Sequence, residues 1–262
     1  MKKLLASLLA GVLVAFSAGS LSSCAFVEDS LNNAAQIEIL EQENKILKDQ
    51  NTELQKQVAS LKFAATFPNG LVNKSCILNN VEVVKTDVKE DGAVYAVMTD
   101  GEGVEVTING GKYDAGKGSL YNIAVWAAGK SKVIINGGEF ITGNDVADDS
   151  NHCIYASDDS VIEITGGLFR STGKSDWLIN CQDGHGTIII KGGTFVNFNP
   201  ADNICEGEHT NFVADGYEVV SEKVGEDVYY KVIEKVEDPT PEATEEQPTE
   251  QESVEEEKQQ EF

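Results

Sequence analysis

One eight-residue signature, [VI]-x-I-x-G-G-x-[FY], constrains this chain more than any other feature. It occurs as Val106–Tyr113, Val133–Phe140, Ile162–Phe169 and Ile188–Phe195, with first glycines 27, 29 and 26 residues apart. A weaker copy, Cys76-Ile77-Leu78-Asn79-Asn80 and on to Val83, lies 30 residues before the first of these. Apolar and polar residues alternate ahead of each glycine pair, which is the period of a half-buried strand, and the glycines supply a sharp bend. Each unit is then one coil of a solenoid. A lone coil cannot bury its apolar side, whereas stacked coils align Val106, Val133, Ile162 and Ile188 in one ladder and Ile108, Ile135, Ile164 and Ile190 in the next. Tyr113, Phe140, Phe169 and Phe195 align as an aromatic stack. Upstream of each signature lies another short apolar run: Tyr95 to Met98, Ile123 to Trp126, Cys153 to Tyr155, and Leu178-Ile179. The expected fold is all-β, a small right-handed parallel β-helix of about 4–5 coils over residues 70–205, preceded by an α-helical coiled coil. A sandwich of hairpins also has short regular strands, but the repeat is too long for one hairpin. Leucine ladders are absent, and the unit is too short for a propeller blade.

The N-terminus reads as an address. Lys2 and Lys3, an apolar run from Leu4 to Phe16 and then small residues up to Cys24 have the three parts of a secretory signal over residues 1–23. Ser17 to Ser23 is too polar to complete a membrane-spanning helix. Leu21-Ser22-Ser23-Cys24 resembles the lipobox of bacterial lipoproteins, which implies cleavage before Cys24 and acylation of its thiol. Several acyl chains on one cysteine hold a protein on a membrane almost irreversibly. Glu28 and Asp29, in the expected linker 24–32, resemble the surface-export signal of Bacteroidota lipoproteins. That resemblance implies the outer membrane and the cell surface. Four further cysteines, Cys76, Cys153, Cys181 and Cys205, allow disulfides in any of three pairings in an exported chain, with buried free thiols the favoured reading. Their wide spacing does not fit a zinc site.

Between residues 33 and 64 the pattern changes to heptads. Ile37, Asn44, Asn51 and Val58 occupy one seam position, and Leu40, Leu47, Leu54 and Leu61 the other. Residues 37–61 are therefore expected to join copies of the chain as a dimer or trimer. Seam asparagines fix register, and Glu43 can meet Lys48 of a neighbour. At 1.5 Å per residue the helix is a stalk on the order of 40 Å long.

The four I-x-G-G-x-[FY] units resemble the pectate-lyase-like superfamily of right-handed β-helices. The segment from Gly192-Gly193-Thr194-Phe195 to Asn211-Phe212-Val213-Ala214-Asp215-Gly216-Tyr217 resembles the closing coil of β-helices in gut-bacterial surface proteins and phage fibres. Residues 206–233 are expected to cap the open end, with Val219 to Val232 as a hairpin, and 234–262 to form a disordered acidic tail of Pro, Thr, Gln and Glu. That superfamily includes lyases and glycosidases. Its lyases use an arginine base, and Arg170 is the one arginine here, without basic companions. Its polygalacturonases pair aspartates with Gly-His-Gly; Asp158-Asp159 and Gly184-His185-Gly186 match that part, while Ile189-Ile190-Lys191 stands where Arg-Ile-Lys completes the site. Asp158, Asp159 and His185 are thus the weak catalytic candidates, and two carboxylates on neighbouring coils could act as general acid and base.

Trp126, Tyr155 and Trp177 are candidate platforms for sugar rings, or else core residues. No resident metal or cofactor is expected; the acidic loop Asn144-Asp145-Val146-Ala147-Asp148-Asp149 is where calcium would bind. The net charge of −24 disfavours nucleic acid as a partner. The functional expectation is a surface-displayed, non-catalytic binding or structural lipoprotein, adhesin-like, with a glycan as candidate ligand. A polysaccharide lyase or hydrolase and a phage fibre attachment module are the alternatives.

Overall fold

A computed structural model describes residues 25–85, 92–143, 151–173 and 177–236, with side chains in the N-terminal helix described from residue 35 onward. The signal segment, Cys24, the acidic loop 144–149 and the tail from 237 lie outside the described residues. Helix α1 (Ala25–Thr66) starts inside the stretch assigned to a linker and runs into a short 3-10 turn, Pro68–Gly70. No described helix is long and apolar enough to cross a membrane.

Everything after the turn is β structure. A partial coil holds β1 (Leu71–Val72), β2 (Cys76–Leu78) and β3 (Val81–Val84). Then come β4 (Ala93–Thr99) with β5 (Glu105–Asp114), and β6 (Tyr121–Ala127) with β7 (Lys132–Thr142). The next two coils are β8 (Asn151–Ala156), β9 (Ser160–Ile164) and β10 (Leu168–Ser171), then β11 (Ile179–Cys181), β12 (Gly186–Ile190) and β13 (Thr194–Val196). Every pairing between coils is parallel, so this is a parallel β-solenoid of about four turns. One wall is the sheet β1-β4-β6-β8-β11; the other is built from the signature strands.

The register follows the repeat. Val106 pairs with Val133, Val133 with Ile162 and Ile162 with Ile188, and the isoleucine ladder runs Ile108, Ile135, Ile164, Ile190 in the same way. The weak copy joins it, Cys76 beside Val106, Leu78 beside Ile108 and Val83 beside Tyr113. Val97, Val125, Ile154 and Ile179 line up on the opposite wall. Tyr113, Phe140, Phe169 and Phe195 are fully buried, their ring centroids 5.3, 4.8 and 4.8 Å apart and their planes within 10° of parallel. Offset stacks of this kind add about 0.5–1.5 kcal/mol per pair beyond area burial.

The glycine pair does two separate jobs. A Cβ on Gly166 would lie 2.5 Å from the Asn136 carbonyl oxygen of the previous coil, and one on Gly192 would lie 2.1 Å from that of Thr165. The second glycine of the pair adopts positive φ (Gly138 +123°, Gly167 +117°, Gly193 +100°) and faces the aromatic stack. In the last two pairs the first glycine thus sets the spacing between coils and the second turns the strand, whereas in the first pair it is Gly111 whose Cβ would meet the Val81 carbonyl oxygen, at 2.1 Å.

Both ends of the stack are covered. At the start, Phe63 and Phe67 pack into the core with Ala59 beside them, and Ser60 Oγ accepts the Glu82 N–H at 2.8 Å. The C-terminal end of α1 is therefore the N-terminal plug, which the heptad pattern alone does not reveal. At the far end an antiparallel hairpin, β14 (Tyr217–Val224) and β15 (Asp227–Glu234), pairs through β15 with β13 and buries Val232. It begins later than the expected boundary at 206, because residues 199–215 first continue the coil, with Phe198 and Phe212 buried and Ile190 bridging Val213.

Replacing Gly166 by Ala is expected to cost about 1–3 kcal/mol by forcing backbone apart. Gly92→Ala, where the new methyl meets open space, should stay within about 0.5 kcal/mol; urea unfolding midpoints compare the two.

Candidate functional site

On the β4-β6-β8 wall, Val125 and Ala127 point inward, so Trp126 between them must point out. It is paired with Met98 on one side and Tyr155 on the other. Tyr95 joins from β4, its ring edge-on to Trp126 at 6.3 Å; Trp126 is edge-on to Tyr155 at 5.8 Å, and Tyr155 stacks on His152 at 5.2 Å. Tyr95, Trp126 and Tyr155 are each partly exposed. Four aromatic rings thus form one row across three coils. Trp177 is not part of it: it packs partly buried against the core, and its carbonyl accepts a 2.6 Å hydrogen bond from His152 Nδ1.

The row runs directly into an open groove. Trp126 Nε1–H donates to Ser157 Oγ at 2.8 Å, and Ser157 donates to Asp158 Oδ2 at 2.9 Å. Asp158 N–H in turn donates to Gln182 Oε1 at 3.2 Å. The groove, about 490 Å³, is lined by Glu102, Gly129, Lys130, Asp158, Asp159, Gln182 and His185. Its floor is a pile of tight turns, in which Lys130 N–H bonds the Asp158 carbonyl at 2.9 Å and Asp159 N–H bonds the His185 carbonyl at 2.6 Å. Asp158 and Asp159 hold φ of 53° and 57°, a left-handed conformation that aspartate tolerates better than most residues.

The stacking does bring the catalytic candidates together. His185 Nδ1 and Asp159 Oδ1 are 3.3 Å apart, on turns of adjacent coils. Both side chains remain about 60% exposed (62% and 60%), whereas acid–base catalysts work in water-excluded pockets that tune them. Arg170 lies away from the row and is tied to Glu139 of the preceding coil, Nη2 to Oε1 at 2.9 Å. Among the described residues no cluster of three or more His, Cys, Asp or Glu is placed to hold a metal ion.

The border of the row is acidic. Burial, followed by the nearby Cys181, Glu206, Asp183 and Asp158, holds the Tyr155 hydroxyl above the ordinary phenol range. Burial also raises Glu206, with Asp183 adding to it, and the Glu206 carboxylate accepts the Cys181 N–H at 3.2 Å. Cys76, Cys153, Cys181 and Cys205 are free thiols, all but Cys76 buried, and burial pushes Cys181 up to about 12. Sequence reasoning named Trp126 and Tyr155 as candidates but not Tyr95, His152 or Ser157, which carry no local pattern that separates them from core or turn residues. Compared with known proteins, the chain matches no family model, no curated protein and no solved structure.

His152 makes stability depend on pH below neutrality. Its Nδ1 faces a carbonyl and so carries the proton, and burial lowers the imidazole from 6.5 to about 4, with the Trp177 carbonyl acting in the opposite sense. Below pH about 6.5 the unfolded chain takes up a proton that the folded chain refuses, so stability falls from there down to pH about 4, by roughly 3 kcal/mol in all. His152→Gln is expected to flatten this part of the stability profile, measured by urea unfolding at pH 7.5, 6, 5 and 4.

Proposed function

We propose that this protein is a lipid-anchored bacterial surface protein whose solenoid head, of the right-handed pectate-lyase-like kind, binds a neutral glycan without cleaving it. The observation that carries this reading is the row Tyr95, Trp126, Tyr155 and His152 opening into the Asp158–His185 groove. Amphipathic aromatics supply flat apolar faces for sugar rings, and the bordering Asp158, Gln182 and Glu206 supply acceptors for hydroxyl groups. The acidic border and the net charge of −24 favour a ligand without carboxylates or sulfates. The lipobox ending at Cys24 and the acidic residues behind it support anchoring at the outer membrane with the head outward.

A second reading is a hydrolase working through Asp159 and His185, favoured by their 3.3 Å approach across the coils. Their exposure weighs against it, since hydrolysis needs one carboxyl kept protonated while its partner stays ionised, and side chains open to water are not tuned apart in that way.

Glycan-array binding combined with a turnover screen separates the two. Binding to a neutral glycan with no new reducing or unsaturated ends is expected, and Trp126→Ala should weaken it at least about tenfold, or about 1.4 kcal/mol. New chain ends that vanish in Asp159→Asn or His185→Ala would sink the non-catalytic reading. In the native host, Cys24→Ala should abolish metabolic labelling with a fatty acid and release the protein from the membrane fraction.

A further inference from the structure

The head is not the only surface of this protein without a partner. Along α1 the seam residues stand in solvent: Ile37, Leu40, Leu47, Leu54, Val58 and Leu61 are 57, 56, 60, 58, 48 and 70% exposed. Isolated helices keep no such stripe of leucines in water without cost, and this stripe is narrower than the broad apolar face of a helix lying on a globular core.

The other side of the same helix is already taken. Lys56 pairs with Glu82 at 3.7 Å, Ser60 Oγ accepts the Glu82 N–H, and Ala59 and Phe63 pack on the solenoid core. At about 100° per residue the average direction of the docked set at 56, 59, 60 and 63 and that of the seam differ by about 150°. The two faces do not compete. Val58 and Leu61 remain exposed one turn from the buried Phe63, so the seam continues alongside the head.

We propose that this stripe is the seam of a parallel, two-chain coiled coil, which carries both heads at the same end and on the outside of the stalk. A second copy of this chain is the occupant the residues fit. Ile and Val at the first seam position with Leu at the second is the two-stranded combination. In parallel alignment Asn44 meets Asn44 and Asn51 meets Asn51, each amide satisfying the other; antiparallel alignment would set both against leucines. The flanking pairs of a parallel coil, Gln36 with Glu41, Glu43 with Lys48, Gln50 with Gln55 and Gln57 with Lys62, include no like charges. Flanks of mixed sign also disfavour an anionic lipid surface as the occupant. The consequence is two aromatic rows held at a fixed separation, so that a repeating ligand meets both and binds with avidity beyond that of either.

The test uses the exported chain from residue 24 with Cys24→Ser, so that no lipid draws copies together. Sedimentation equilibrium should give twice the chain mass. Leu47→Lys with Leu54→Lys should halve it, while the unfolding midpoint of the head stays unchanged. A one-chain mass at every concentration overturns the proposal, and a three-chain mass overturns its two-chain assignment. Asn44→Cys decides orientation without disturbing the head: mild oxidation should link the two chains covalently, and failure to do so in a species of twice the chain mass makes the coil antiparallel and overturns the parallel arrangement.

Discussion

A coil of this solenoid has no interior of its own. Val106 and Ile108 become buried only because Val133 and Ile135 lie above them and Cys76 and Leu78 below, and each ring of the Tyr113, Phe140, Phe169, Phe195 column is flat against its neighbours for the same reason. Stability is therefore a property of interfaces between coils, added one at a time. The separation between coils is decided by backbone, at Gly111, Gly166 and Gly192, where even a methyl group would meet a carbonyl of the coil before.

Two demands follow from that dependence. A stack that can grow must be stopped at both ends, or its exposed strands and apolar layers will recruit other chains. Here the stops differ in kind. The first is a helix whose Phe63 and Phe67 sit over the opening layer, and the second is a reversal of strand direction, since β15 pairs antiparallel to β13 and leaves no parallel template beyond it. Residues on β14, among them Glu218, Glu222 and Lys223, put charge along the remaining edge.

The same stacking that builds the core builds the outer surface. Side chains too far apart in sequence to be read together meet across the coils: Trp126 and Tyr155 stand in register, Tyr95 reaches Trp126 ring to edge, and the turns that carry Lys130, Asp158 and His185 lie on top of one another. A solenoid thereby converts a one-dimensional repeat into a lattice of similar positions, on which aromatic rings from different coils can form one row. The buried His152 beneath Tyr155 ties part of that row to the integrity of the fold.

Much of this was legible in the residues alone. The strand ladders, the aromatic column and the early weak coil follow from one repeated signature, because period-two alternation and a glycine pair at a constant offset leave few ways to bury the apolar side, and the terminal hairpin follows from the need to cap that stack. Heptad spacing likewise marked the helix. What sequence could not decide was the direction in which side chains outside the signature point, since a one-residue change in register reverses every face of a strand. Only the tertiary structure placed Trp126 and Tyr155 outward, left Trp177 against the core, and brought Tyr95 and His152 beside them. It also showed that Phe63, near the end of the helix, packs into the solenoid core. The physical reason is range: the repeat is enforced by local backbone geometry and by neighbours one coil away, whereas the site and the plug depend on contacts between segments that share no pattern.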